Sequence, residues 1–143
     1  MADDAERHEV EIRQELGEAK EQFRQRFISM SGSAIRGLIT LNPVYTGFAV
    51  NSYQFKLGDL DLPALAPIPS GGGLSAAAAD SLKSETISGA ESFLAVLNLG
   101  DVMTITNNAQ YIGELDSGSS PQAPQGMTRP TLSRLRSRFG TRS

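Results

Sequence analysis

At 143 residues the chain has the length of one domain, and 39% hydrophobic residues, 6% aromatics and no tryptophan make its core a lean one. The absence of cysteine excludes disulfides, thiolate metal sites and cysteine nucleophiles. A formal net charge of −3 conceals an asymmetry. Asp3, Asp4, Glu6, Glu9, Glu11, Glu15, Glu18 and Glu21 crowd the start, whereas after Asp116 the charged residues are Arg129, Arg134, Arg136, Arg138 and Arg142 alone. An acidic head and a basic tail favour contact between copies, or with something anionic. No apolar run reaches the ~18–20 residues that span a bilayer. The acidic, polar start MADDAERHEVE is unlike a signal peptide.

Asp3 to Leu41 reads as one long helix. Ile12, Leu16, Ala19, Phe23, Phe27, Met30, Ala34 and Leu38 recur in steps of three and four and form one narrow apolar stripe. Gly17 weakens the helix by about 1 kcal/mol relative to Ala. Ser31-Gly32-Ser33 predicts a kink, and Asn42-Pro43 a stop, because the residue before proline is pushed out of the α region. The first turns lack apolar residues and are expected to fray or to dock elsewhere. A helix of this length either lies across a sheet or projects onto a neighbour.

Thr46-Gly47 marks a turn, and Val50, Tyr53, Phe55 and Leu57 predict a strand over 52–56. Residues 58–73, with Pro63, Pro67, Pro69 and Gly71-Gly72-Gly73, read as a Pro/Gly-rich loop or arm. Its Leu60, Leu62 and Leu65 are expected to touch a partner or the core. A second helix is predicted over 75–98, burying Ala77, Leu82, Thr86, Ala90, Phe93, Leu94 and Leu97, with Leu99-Gly100 as its stop. A strand over 101–106 follows, with Val102, Thr104 and Thr106 on one face and Met103 and Ile105 on the other. Then come an Asn107-Asn108 turn, a short helical segment over 109–116, and a loop over 119–125. A basic helix over 131–139 closes the chain, with Leu132 and Leu135 facing inward. The fold class is α+β in a single domain over 1–143: a long N-terminal helix and a second helix packed on a short antiparallel sheet, then a short C-terminal helix. The front of the first helix projects, and residues 128–143 form a basic tail.

Little in the chain carries chemistry. His8 is the only histidine and sits on the charged terminus, which argues against a histidine triad or a histidine-rich metal site. GGGLSA lacks both the GxGxxG spacing and the GK[ST] ending of a phosphate loop. Glu114 and Asp116, two apart on a short helix, point to different faces. Asp59 and Asp61 are not followed by the further oxygen ligands of a calcium loop. The expectation is a protein without catalysis, metal or cofactor. The C-terminal arginines fit either salt bridges to acidic helices of adjacent subunits or a DNA-binding module.

Two segments carry a family resemblance. Pro43-Val44-Tyr45-Thr46-Gly47 followed by Asn51-Ser52-Tyr53 resembles the P-V-D-T-G … S-W opening of phage tail-completion (head–tail joining) proteins, the lambda minor tail protein Z-like family and its HK97-type relatives. Tyr45 stands where Asp is common, and Asn51-Ser52-Tyr53 replaces a Ser-Trp pair. Ile105, Asn107, Asn108, Tyr111, Ile112, Leu115, Gly118 and Ser119 track a second family pattern, with Asp116 in place of Glu. Gln122-Ala123-Pro124-Gln125-Gly126-Met127 tracks its Q-A-P-x-G-M loop. The resemblance spans about Leu38 to Leu132, and the arm departs from the shortest members.

The resemblance implies a virion structural protein without catalysis, forming a ring, most often sixfold, where the tail meets the neck of the capsid. It is assembled in the host cytoplasm. Implied partners are further copies of the chain, the tail tube or terminator protein, and the head-side connector or stopper protein, with DNA passing through the lumen and no membrane. Subunit or partner contacts are expected at Tyr111, Asp116, Gln122, Pro124, Met127, Arg129, Arg134, Arg136 and Arg138. The alternatives are a tail terminator that stops tube polymerisation, or a DNA-binding module using the basic C-terminus.

Overall fold

The computed structural model of the chain describes residues 2–44, 47–58 and 72–140. The expected contacts of Leu60, Leu62 and Leu65, the Asp59 and Asp61 pair, the Tyr45-Thr46 step and Arg142 fall outside the described residues. The described architecture is α+β: α1 (Ala2–Leu41), α2 (Phe48–Asn51), β1 (Tyr53–Leu57), α3 (Ala76–Leu94), β2 (Met103–Asn107), α4 (Ile112–Asp116) and α5 (Thr128–Phe139).

Helix α1 is the backbone of the molecule, and its two halves live in different environments. Every residue from Asp3 to Glu18 is exposed. At ~1.5 Å per residue, the first twenty residues reach about 30 Å from the domain. Local interactions support this projection. Arg13 pairs with Glu9 one turn back at 2.6 Å, and Asp3 and Asp4 lie where the helix dipole favours anions.

The other half of α1 builds the core. Ile35 and Ile39 are fully buried with Val50 and Leu97, and Ala90 and Leu94 complete the cluster. The expected kink at Ser31-Gly32-Ser33 is absent, and α1 runs through it unbroken. The small residues serve close packing instead. A Cβ on Gly32 would meet Leu94 of α3 at 3.3 Å, and one on Gly37 would sit 2.7 Å from the Thr131 hydroxyl of α5. The two helices thus press onto α1 at two glycines. The buried stripe is therefore rotated from the expected one: Ile28, Ser31, Ile35 and Ile39 face the core, while Met30 lies at the surface.

Strands β1 and β2 pair antiparallel, with Tyr53 opposite Asn107, Phe55 opposite Ile105 and Leu57 opposite Met103. Tyr53, Phe55, Met103 and Ile105 share one face and pack against the core cluster. Asn42 ends α1 as expected, followed by Pro43.

Three helix boundaries differ from expectation: α4 begins at Ile112 rather than Ala109, and α3 and α5 differ at one end each. Helix α3, capped at Ser75, stops at Leu94 rather than Asn98. Arg24 of α1 reaches across to the carbonyls of Leu97 (Nε, 2.9 Å) and Ala95 (Nη2, 3.2 Å), satisfying acceptors that a continuing helix would have used. Helix α5 begins at Thr128, three residues before the expected Thr131. Pro130 lies in its first turn, where the missing N–H has no partner to lose. The inward side of α5 is Thr131, with Leu135 half-buried; Leu132, expected inside, is 44% exposed.

Candidate functional site

The two segments that carry the family resemblance meet at the C-terminal end of α1. Asn42, fully buried, donates through Nδ2 to the Tyr53 hydroxyl at 2.8 Å, and that hydroxyl donates to the Leu38 carbonyl at 3.3 Å. Burial pushes the Tyr53 phenol up to about 12. Gln122 spans the gap between the segments: its Nε2 donates to the Val44 carbonyl at 3.3 Å, and its Oε1 accepts the Val44 N–H at 3.0 Å. Asn107 makes a further bridge, donating to the Ala49 carbonyl at 2.7 Å and accepting the Ala109 N–H at 3.0 Å.

Asp116 organises the second segment. Its Oδ1 accepts the N–H groups of Met127 at 2.9 Å and Thr128 at 2.8 Å, so a remote carboxylate caps α5. Burial pushes this carboxyl up, but the N–H groups of Thr128 and Met127 and the Thr128 side chain outweigh it, leaving it below the ordinary carboxylate value. Gly118 (φ +96°) and Gly126 (φ +76°) are left-handed. A Cβ would drive Gly118 into the Pro124 carbonyl and Gly126 into the Asp116 carbonyl. The Gly and Asp positions of the motif thus fold the loop back on itself.

The expected contact residues divide accordingly. Met127 is 2% exposed and belongs to the chain's own core. Asp116 is occupied by its capping bonds, and Tyr111 is half-buried with its ring 6.2 Å from that of Phe48. Gln122 and Pro124 are exposed, the former already tied to Val44. Arg138 donates to the Ser33 hydroxyl at 3.2 Å and lies over the Phe139 ring at 5.1 Å. Arg129, Arg134 and Arg136 are exposed and make no ion pair among the described residues.

Sequence reasoning did not find Arg24, Arg26 or Gly37 as organising residues. Arg26 donates to the Phe139 carbonyl at 3.1 Å, tying the end of α5 to α1. The charged face of a helix gives no local sign that one of its arginines serves a carbonyl 73 residues away. A Gly at 32 and another at 37 in a buried half-helix would have been a usable sign of close packing.

Among the described residues no group of three or more His, Cys, Asp or Glu side chains could hold a metal ion. His8 is exposed, with its Nδ1 3.8 Å from the Glu11 carboxylate. Among the described residues no helix is long and apolar enough to cross a membrane. No protein-family model matches the chain, and no curated protein or solved structure matches it significantly.

Proposed function

We propose that this protein is a structural component of a phage virion, forming a ring at the top of the tail that completes the tail and joins it to the head-side connector. The observation that carries the reading is the Gln122–Val44 clip, which makes one unit of the two segments resembling tail-completion proteins. The architecture supports it: a domain with a helical projection, an acidic front and a row of arginines that make no ion pair among the described residues is suited to repeated contact between copies. Asp116, Gly118, Gly126 and Met127 shape the loop from within. Gln122, Pro124, Arg129, Arg134 and Arg136 are the exposed candidates for meeting a neighbour or the DNA in the lumen. The chain acts by assembly rather than catalysis, in a ring of six copies, between the tail tube or terminator protein and the connector or stopper protein. It is assembled in the host cytoplasm and carried in the virion.

Deleting the protein from a producing phage tests this. The expected result is filled heads and tails of normal length that remain unjoined. Overlong tails would make it a tail terminator instead. Intact, infectious particles would overturn both.

A further inference from the structure

The apolar stripe that stands out in the sequence is largely one the domain leaves uncovered. Ile12 and Leu16 are 56% and 55% exposed on the projecting half of α1, in line with Phe23, 62% exposed where the projection meets the domain. An apolar line left in water along one side of a projecting helix marks a contact surface. Asp4, Glu11, Glu15 and Glu18, in steps of seven, four and three, form an acidic row beside it. The whole segment from Asp3 to Phe23 carries eight carboxylates against Arg7, Arg13 and Lys20.

A surface of complementary character lies on α5. Its outward side presents Leu132, 44% exposed, between Arg129 one turn before and Arg136 one turn after. These three line an open groove of about 890 Å³ whose other wall includes Pro124 and Gln125. Arg129 and Arg136 make no ion pair among the described residues.

The segment cannot reach the groove of its own chain. The buried half of α1 already packs on the opposite side of α5, at Gly37 against Thr131, and α1 is unbroken to its start. Pairing two such segments with each other would set carboxylates against carboxylates. The complementary arrangement is head to tail.

We infer that the projecting segment of α1 in one copy docks on the Arg129–Leu132–Arg136 face of α5 in the next. Ile12 and Leu16 cover Leu132 while Glu11 and Glu15 meet the arginines. The contact is heterologous, so it closes into a ring or extends into a chain according to the angle between copies. The inference rests on the ring proposed above and names the contact that builds it.

Full-length protein tests it, by particle mass against concentration at low and at high salt. One variant carries Glu11→Lys and Glu15→Lys, the other Arg129→Glu and Arg136→Glu; circular dichroism checks that both remain folded. Wild type is expected to assemble more weakly as salt screens the contact. Each variant alone should need roughly ten-fold or more protein to assemble. An equimolar mixture should recover assembly, because reversed helix then meets reversed groove. Variants that assemble like wild type, or a mixture that fails to recover, would overturn this contact and leave the ring reading standing. Wild type that stays monomeric at every concentration and salt would overturn both.

Discussion

Gln122 holds Val44 by both sides of its backbone, accepting the Val44 N–H at 3.0 Å and donating to its carbonyl at 3.3 Å. The arrangement resembles one rung of a β-ladder made with a side-chain amide. It fixes the segment that follows α1 against the loop that leads into α5.

Replacing Gln122 by Ala removes both bonds from an exposed site that water can refill. The expected loss is about 1–2 kcal/mol, read as a lower urea midpoint with unchanged slope. Gln122→Glu keeps an acceptor for the Val44 N–H but sets a carboxylate oxygen against the Val44 carbonyl, so it should also lose stability at neutral pH and recover part of it in acid, where the carboxyl can donate. Amide hydrogen exchange at Val44 should quicken in Gln122→Ala, which has no acceptor for that N–H.

Asp116 makes stability depend on acid. Its pKa is lowered in the folded chain, so its contribution is fully present above the unfolded carboxyl value and is lost as pH falls through the folded one. Stability should therefore decline below about pH 4. Asp116→Ala should lower neutral-pH stability by about 1 kcal/mol and flatten that part of the acid limb. Asp116→Asn can still cap α5, so it should flatten the limb with a smaller loss at neutral pH. Urea titrations at a series of pH values check both.

Gly37 and Gly17 should respond to the same substitution in opposite ways. At Gly37 an added Cβ would sit 2.7 Å from the Thr131 hydroxyl, so Gly37→Ala should destabilise by about 1–3 kcal/mol. At Gly17 nothing lies within 4 Å, and Gly17→Ala should raise the helical signal of the projecting segment without loss of fold. The Thr131 hydroxyl is itself buried without a hydrogen-bond partner among the described residues. Thr131→Val should therefore stabilise the domain by about 1 kcal/mol. Thermal and urea unfolding of the three variants separate these outcomes.

Tyr53 should be slow to ionise. Its hydroxyl accepts from Asn42, donates to Leu38 and is raised to about 12 by burial. An absorbance titration should show one phenol ionising near that value, absent from Tyr53→Phe. The raised value means the neutral phenol favours the fold. That contribution is whole below about pH 10, the unfolded phenol value, and is lost as pH rises toward the folded one. Tyr53→Phe should cost about 1–3 kcal/mol at neutral pH by leaving the Asn42 amide without its acceptor.

Much of this fold was legible in the sequence because local signals and the fold agree. The α1 stop at Asn42, the β1 and β2 alternation and the Ser75 start of α3 each follow from a residue and its immediate neighbours. The errors arose where distant side chains decide. Arg24 ends α3, and Asp116 starts α5, through contacts that no short window contains. The α1 stripe misled in a more useful way. Its spacing is amphipathic as expected, but in the buried half the face carrying Gly32 and Gly37 turns inward, and Ile12 and Leu16 stand in water because that half of α1 projects beyond the domain. Met127 was expected at a contact because its motif resembles an assembly protein's, and only the folded loop shows that its side chain fills the interior.

The proposed role at a head–tail junction is tested most directly by electron microscopy of intact virions with this protein located by a bound label. A closed ring of label or density at the junction of head and tail is predicted. Particles whose neck carries none of this protein would contradict the account.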